Sequence, residues 1–306
     1  MRASVTVRVP GSTSNLGAGF DCVGVAVDRW LTLTATLASS SAAVAIERRG
    51  TLDEVTVAAE QDLCYRGFLK ACDVTGRTSP PAVLLSAESR IPVARGLGSS
   101  AAAAVAGAAA ANALLGLGLE REALVDLCTD LEGHPDNVAP AVHGGALLTV
   151  RAASGNGLVV TQLTVHASLA LVFAVPDFVV ETKQARAVLP ESVPHATAVA
   201  GAGRAAALIQ GLASADPRLL AAALDDVLHV PFRRRLVPGY DAVVSAALGA
   251  GAFGATLSGS GPTMLAVASS QRASAVAEAM VRAWQEGGVR AESFVAGRPA
   301  GGCEIT

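Results

Sequence analysis

The chain has 306 residues, enough for a substantial core and for two domains of ordinary size. Its 23 basic and 26 acidic residues nearly cancel, and a pI of about 6.0 leaves no broad basic face, which argues against nucleic acid and anionic lipid as partners. Five cysteines, Cys22, Cys64, Cys72, Cys128 and Cys303, form no CxxC pair. They suit small buried hydrophobes in a reducing cytoplasm better than a disulfide framework or a metal cluster.

The opening MRASVTVRVPG alternates and has no continuous apolar core before Pro10, so it reads as a strand and not as a signal peptide. GSTSNLGAGFD reads as a polar loop, and CVGVAVDRWLTLTATLAS as further extended chain. The spacing of Leu63, Phe68 and Leu69 predicts a helix over residues 62–72, and residues 82–93 read as a strand leading into PVARGLGSSAA. The charge-free stretch from Gly96 to Leu119 is long enough to cross a bilayer. Ala and Gly dominate it, however, and Ser99, Ser100 and Asn112 interrupt it, so a buried helix of a soluble domain is expected instead of a membrane span. Residues 120–131 read as an amphipathic helix that delivers the chain to EGHPDNVAP, and residues 144–150 as a strand.

Small and polar residues from Ala152 to Gly157 place a domain boundary there, giving an expected division into residues 1–153 and 154–306. Beyond it, SLALVFAVP reads as a buried strand, residues 197–224 as one alanine-rich helix, and FGATLSGSGPTMLAVA as two strands around a turn. Residues 272–285 read as the last helix and AESFVAG as the last strand. The mixed order predicts an α+β fold.

PVARGLGSSAA is the most informative segment. Gly96 and Gly98 keep side chains off the backbone, and Ser99 and Ser100 open a helix whose first N–H groups and dipole favour an anion. It is not a Walker A loop, because the GxxxxGK[ST] spacing is absent. GAGAFG from Gly249 matches a dinucleotide fingerprint, but it follows an apparent helix and lacks the expected acidic residue about 20 positions on. Asn15 and Asp21, in PGSTSNLGAGFDCVGVAV, either make turns or frame a substrate.

Three segments, PGSTSNLGAGFDCVGVAV, PVARGLGSSAA and GATLSGSGPT, resemble in order and spacing the three motifs of the GHMP small-molecule kinases. The form of the first, together with EGHPDNVAP, resembles the branch that phosphorylates homoserine, and the likeness runs from about Val5 to about Val267. The resemblance implies an amino-terminal domain similar to the second domain of ribosomal protein S5 and a ferredoxin-like carboxy-terminal domain. It implies ATP-dependent phosphorylation of the side-chain hydroxyl of L-homoserine on the route to threonine, with Mg²⁺, in a cytoplasmic homodimer.

Carried over by resemblance, Pro92, Val93, Ala94, Arg95, Gly96, Leu97, Gly98, Ser99, Ser100, Ala101 and Ala102 form the ATP-phosphate loop. Ser100 and Glu132 match the metal positions, with Ser99 as the neighbouring alternative. Arg186 and Arg233 match carboxylate-binding arginines, Arg234 and Arg235 being adjacent choices, while Asp21 with Asn15 matches the ammonium side. His134, Asn137 and Gly259 line the same acceptor site, and Thr182 stands four residues before Arg186. Asn137, Asp21 and Thr182 carry the expected catalytic roles. Direct in-line transfer is expected, with Asn137 or a water orienting the hydroxyl, since the Asp–Lys base pair of the mevalonate branch is absent. Asp62 stands where relatives often carry Asn. The competing readings are a kinase of the same superfamily acting on mevalonate, a sugar or shikimate, and a non-catalytic nucleotide-binding or scaffold protein.

Overall fold

Val5, Val7 and Val9 point inward from the first strand, β1 (Ser4–Asn15), which pairs along its length with the 19-residue β2 (Gly19–Leu37). The computed structural model describes residues 3–38, 44–153, 155 and 157–306. GSTSN was expected as loop, and here the structure differs: Gly11 to Ser14 stay in the ladder opposite Val27 to Gly24, and only Leu16 to Ala18 turn the chain. Hydroxyls usually signal an exposed loop, but Ser12, Thr13 and Ser14 are buried and find partners on distant elements, so the polar composition is compatible with strand.

The chain continues through β3 (Val44–Gly50), α1 (Leu63–Val74) and β4 (Val83–Ser89) to α2 (Ser99–Leu115), α3 (Arg121–Glu132) and α4 (Val138–His143). Strands β5 (Ala146–Arg151) and β6 (Leu158–Leu163) follow as a hairpin. One sheet runs in the order β3–β4–β2–β1, with β5 joined to β2 at Val23–Val25 and β6 beyond it. Among the described residues, only β3 and β4 pair in parallel. Helix α2 packs on it, and α1 crosses α2 closely: a Cβ on Gly67 would run into the backbone oxygen of Ala104, and one on Gly107 into that of Cys64. This approach explains the alanine and glycine of α2, of which residues 101–111 are all buried. Among the described residues, no helix is long and apolar enough to cross a membrane.

The second half holds β7 (Leu169–Pro176), α5 (Thr182–Ala187), α6 (His195–Ser214), α7 (Pro217–Leu224), α8 (Val230–Arg233), α9 (Tyr240–Gly249), β8 (Ala252–Leu257), β9 (Met264–Ser269), α10 (Ala273–Glu286) and β10 (Ala291–Ala296). Its four antiparallel strands lie in the order β10–β7–β9–β8, the ferredoxin-like arrangement with α10 between β9 and β10. β7 is buried on both faces. Ala170, Val172 and Ala174 meet Val276, Met280 and Trp284, while Leu169, Leu171 and Phe173 share the larger core with Leu208, Leu212 and Leu220.

The single helix expected over residues 197–224 is two, because Ala215 ends α6 in a left-handed conformation and Asp216 caps α7 with Pro217 at its first position. The strand expected over 82–93 stops at Ser89, where the glycine-serine segment begins to turn. A final strand, β11 (Glu304–Ile305), returns to pair with β1. With β6 it gives the first sheet strands from both sides of the expected 153/154 division.

Candidate active site

The glycine-serine loop runs over the top of α2 and forms the floor of a cleft of about 580 Å³. Gly96 and Gly98 hold φ of 73° and 67°, and a Cβ there would run into Ser258 O and Ser12 Oγ respectively. Ser258 Oγ lies 2.6 Å from Gly96 O and 2.8 Å from Thr13 Oγ1, and Ser12 N donates to Leu97 O, so strand β1 and the turn after β8 fix the loop from two sides. Gly98 is the N-cap of α2 and no side chain caps the first turn. Free N–H groups and the positive end of a 17-residue helix therefore face the cleft.

Ser100 Oγ donates to Glu132 Oε2 at 2.7 Å, joining the first turn of α2 to the end of α3. Burial pushes the Glu132 carboxyl above its ordinary pKa, against the opposing pull of the Ser100 hydrogen bond and of His134. Beyond α3, Gly133 turns the chain in a left-handed conformation and brings His134, Asp136 and Asn137 to the cleft. His134 Nδ1 lies 2.6 Å from Asp136 Oδ1; burial works against its charged form, but this bond and the Asp136 charge outweigh it and raise the pKa.

Both ends of the Asn137 side-chain amide are hydrogen-bonded. Its Oδ1 accepts from Ser12 Oγ at 2.9 Å, and its Nδ2 donates to Ser14 Oγ at 3.0 Å and to Asp136 Oδ1 at 3.4 Å. The amide is tied to β1, and Ser14, itself on the cleft, keeps its own hydroxyl proton available.

Across the cleft, the fork of Arg186 on α5 binds Asp21 with both nitrogens, at 2.8 and 3.1 Å. Burial alone would lower the Arg186 pKa; the Asp21 hydrogen bond and charge raise it. Asn15 Oδ1 accepts from Asp21 N, and Asn15 Nδ2 donates to Gly259 O. Asn15, Asp21 and Ala94 all adopt positive φ, a cluster of backbone strain around one site. Arg233 is almost wholly buried, and its donors reach Ala185 O, Gly259 O and His229 Nδ1 while the guanidinium lies over Phe20. Burial first, and the Arg186 charge second, lower its pKa to about 10. Of its neighbours in the run, Arg234 pairs with Asp241 at the surface and Arg235 is exposed. Thr182 lies at the mouth, 3.5 Å from Ser260 Oγ.

Not every residue of the expected phosphate loop lines the cleft. Val93, Ala94, Gly96, Gly98, Ser99 and Ser100 do; Leu97, Ala101 and Ala102 are buried beneath it and Pro92 lies outside it. Arg95 turns away to donate to the carbonyls of Val93, Pro176 and Asp177, anchoring the loop to the end of β7. Sequence reasoning missed Ser14, Asp136 and an apolar wall of Leu52, Val55 and Val57. Ser14 and Asp136 sit inside segments already singled out, whereas the apolar wall has no motif and is assembled only by folding. Asp62 caps α1 and pairs with Arg48 at 2.8 Å, so its carboxylate serves the helix start.

Cys22, next to Asp21, is held as a thiol, its pKa pushed up to about 11 by burial and then by Asp136 and Asp21. Lys70 and Lys183, the only lysines of the sequence, do not line the cleft. What the arrangement offers is an anion cradle, a carboxylate–hydroxyl pair, and a set of opposed charges facing a small space.

Residues 62–145 match the GHMP kinases N terminal domain and residues 208–286 the GHMP kinases C terminal domain. The chain is 43% identical over 289 residues to the homoserine kinase of Trichormus variabilis, covering 94% of each. It is likewise 43% identical over 292 residues to the homoserine kinase of a Synechococcus species, again 94% of each. The fold matches the crystal structure of homoserine kinase from Cytophaga hutchinsonii with a TM-score of 0.88, at 32% identity over 100% of this chain and 98% of that one.

Proposed function

We propose a division of labour within the cleft from one premise: the chain belongs to the homoserine kinase family of the GHMP kinases. It uses ATP to phosphorylate the side-chain hydroxyl of L-homoserine, giving O-phospho-L-homoserine for threonine biosynthesis. The uncapped start of α2, with Gly96, Gly98 and Ser99, holds the triphosphate, and Leu52, Val55 and Val57 receive the flat base of the nucleotide.

The observation that carries the site assignment is the Ser100–Glu132 pair beside that helix start. A hydroxyl and a carboxylate with a burial-raised pKa are hard oxygens short of a cation, the donor set that suits Mg²⁺ when phosphate oxygens and waters complete the shell. Among the described residues no group of three or more His, Cys, Asp or Glu side chains could hold a metal, in keeping with a cation that depends on the nucleotide for the rest of its ligands. Mg²⁺ would supply neutralisation of phosphate charge.

Arg186 and Arg233 take the homoserine carboxylate, and Asp21 with Asn15 takes the ammonium. This leaves the hydroxyl toward Ser14, His134 and Thr182. With Asn137 tied to β1, we assign it to positioning Ser14, and a loose transition state needs alignment and charge stabilisation more than a strong base. Five free cysteines, four of them buried, fit a reducing cytoplasm, and a homodimer is the family's expected state. A coupled ADP-release assay with homoserine, mevalonate, a sugar and shikimate as acceptors tests the reading. Homoserine should be turned over well above the rest; rapid turnover of mevalonate with none of homoserine would overturn it.

A further inference from the structure

The two side chains that the acceptor site needs for opposite ends of its ligand are bound to each other. Arg186 Nη2 and Nη1 donate to Asp21 Oδ1 and Oδ2 at 2.8 and 3.1 Å, a fork that spans the cleft from α5 to the start of β2. Their side chains are 37% and 38% exposed, so neither charge would be fully hydrated if the pair parted.

Two other charges on the cleft, Arg233 and Asp136, are held in place. Arg233 is buried, with Nε on Ala185 O and Nη1 on Gly259 O and His229 Nδ1, so it is held where it stands and does not swing to Asp21. Asp136 is held by His134 and Asn137. Asp21 is itself fixed: its backbone sits at φ 56° and its N–H donates to Asn15.

We propose that the Arg186–Asp21 ion pair is an exchange latch that selects zwitterionic acceptors, each partner releasing the other only to a ligand bearing both a carboxylate and an ammonium. The inference rests on the homoserine reading and deepens it by assigning the selection to a pair already formed in the free protein. A zwitterion replaces one ion pair with two and leaves no charge unmatched. A hydroxy acid without the ammonium must draw Arg186 away and strand Asp21; an amino alcohol without the carboxylate strands Arg186. Discrimination then comes chiefly from the partner left unpaired, which is the stronger route to specificity.

The consequence that sets this apart from simple contact is a gain. Asp21→Asn should weaken homoserine but strengthen 4-hydroxybutanoate, since Arg186 no longer has a carboxylate to leave. Arg186→Gln should in the same way strengthen 3-aminopropan-1-ol. Asn tolerates a positive φ as well as Asp does, so the first variant keeps its backbone, and the second lies on a short, half-exposed helix.

The test is steady-state ADP release by the full-length enzyme with the three acceptors. Expected are a fall of about tenfold or more in kcat/KM for homoserine in each variant, and a rise of about tenfold for 4-hydroxybutanoate in Asp21→Asn and for 3-aminopropan-1-ol in Arg186→Gln. Loss toward every acceptor in both variants, with the parent enzyme active on homoserine, would overturn the latch and leave the kinase reading standing. A parent enzyme inactive on homoserine would overturn the reading itself.

Discussion

Arg233 Nη1 donates to His229 Nδ1 across 3.3 Å in a fully buried setting. Arginine cannot accept a hydrogen bond, so the imidazole is neutral and carries its proton on Nε2, which donates to Gly17 O at 3.1 Å. His229 thus connects the Arg233 guanidinium, to which we assign the substrate carboxylate, to the turn between β1 and β2. Burial lowers its pKa to about 4, although Asp226 pulls the other way.

The sign of the pH effect follows. The folded pKa lies below the unfolded value of about 6.5, so His229 contributes stability above that value and loses it as the pH falls toward 4, on the order of 3 kcal/mol in all. His229→Phe keeps the stacking against Phe20 but removes the acceptor. Its thermal midpoint should fall less than the parent's between pH 6.5 and 4, and its KM for homoserine should rise about tenfold with a smaller change in kcat. A parallel pH profile for the two proteins would refute this linkage.

Glu132→Gln separates stability from function. Because burial raises the Glu132 pKa in the folded state, ionisation costs stability as the pH rises above the ordinary carboxylate value, and the amide removes that cost. The free variant should melt at or above the parent at pH 7, with the difference vanishing near pH 4. Turnover should fall by at least about a hundredfold, and added Mg-ATP should shift the melting midpoint much less than in the parent. Calorimetric scans with and without Mg-ATP check both.

Much of the proposed site is legible in the sequence because its parts lie in contiguous motifs. Gly96, Gly98, Ser99 and Ser100 mark by residue type a helix start that suits an anion or an ordinary cap, and the EGHPDN segment marks the turn that carries Glu132 and His134 to the cleft. The Arg186–Asp21 pair is different: its members lie 165 positions apart, and nothing in either segment says they touch. Ser12, Thr13 and Ser14 mislead in the other direction, reading as a loop because their hydroxyls find partners only after Asn137 and Ser258 have folded against them. Arg95 belongs to the motif yet serves the end of β7, a division that sequence spacing cannot express.

Gly98→Ala tests the loop. At φ 67° a side chain is strained, and its Cβ would press on Ser12 Oγ, which is committed to Asn137. We expect a loss of about 1–3 kcal/mol in stability and a KM for ATP raised about tenfold, while Ala94→Gly, at φ 54°, should leave both nearly unchanged because relief of strain offsets the added freedom of the unfolded chain. Urea denaturation and ATP titrations distinguish the two.

The α1–α2 crossing gives the sharpest prediction about the fold. Gly107 faces the backbone of Cys64 so closely that any Cβ would overlap its carbonyl oxygen, and the neighbouring Gly67 meets Ala104 in the same way. A flexible side chain could yield, but here the obstacle is the main chain of α1, pressed against α2, whose residues 101–111 are all buried. The helices must separate, opening gaps along the core face that the sheet side chains fill. Gly107→Val should therefore cost more than a typical core substitution, upward of about 4 kcal/mol, whereas Gly116→Ala, just past the helix with nothing near its Cβ, should cost only about 1 kcal/mol for its left-handed φ of 64°. Gly107→Val expressed as a folded protein with a near-parental urea midpoint would show that the two helices can slide apart without loss.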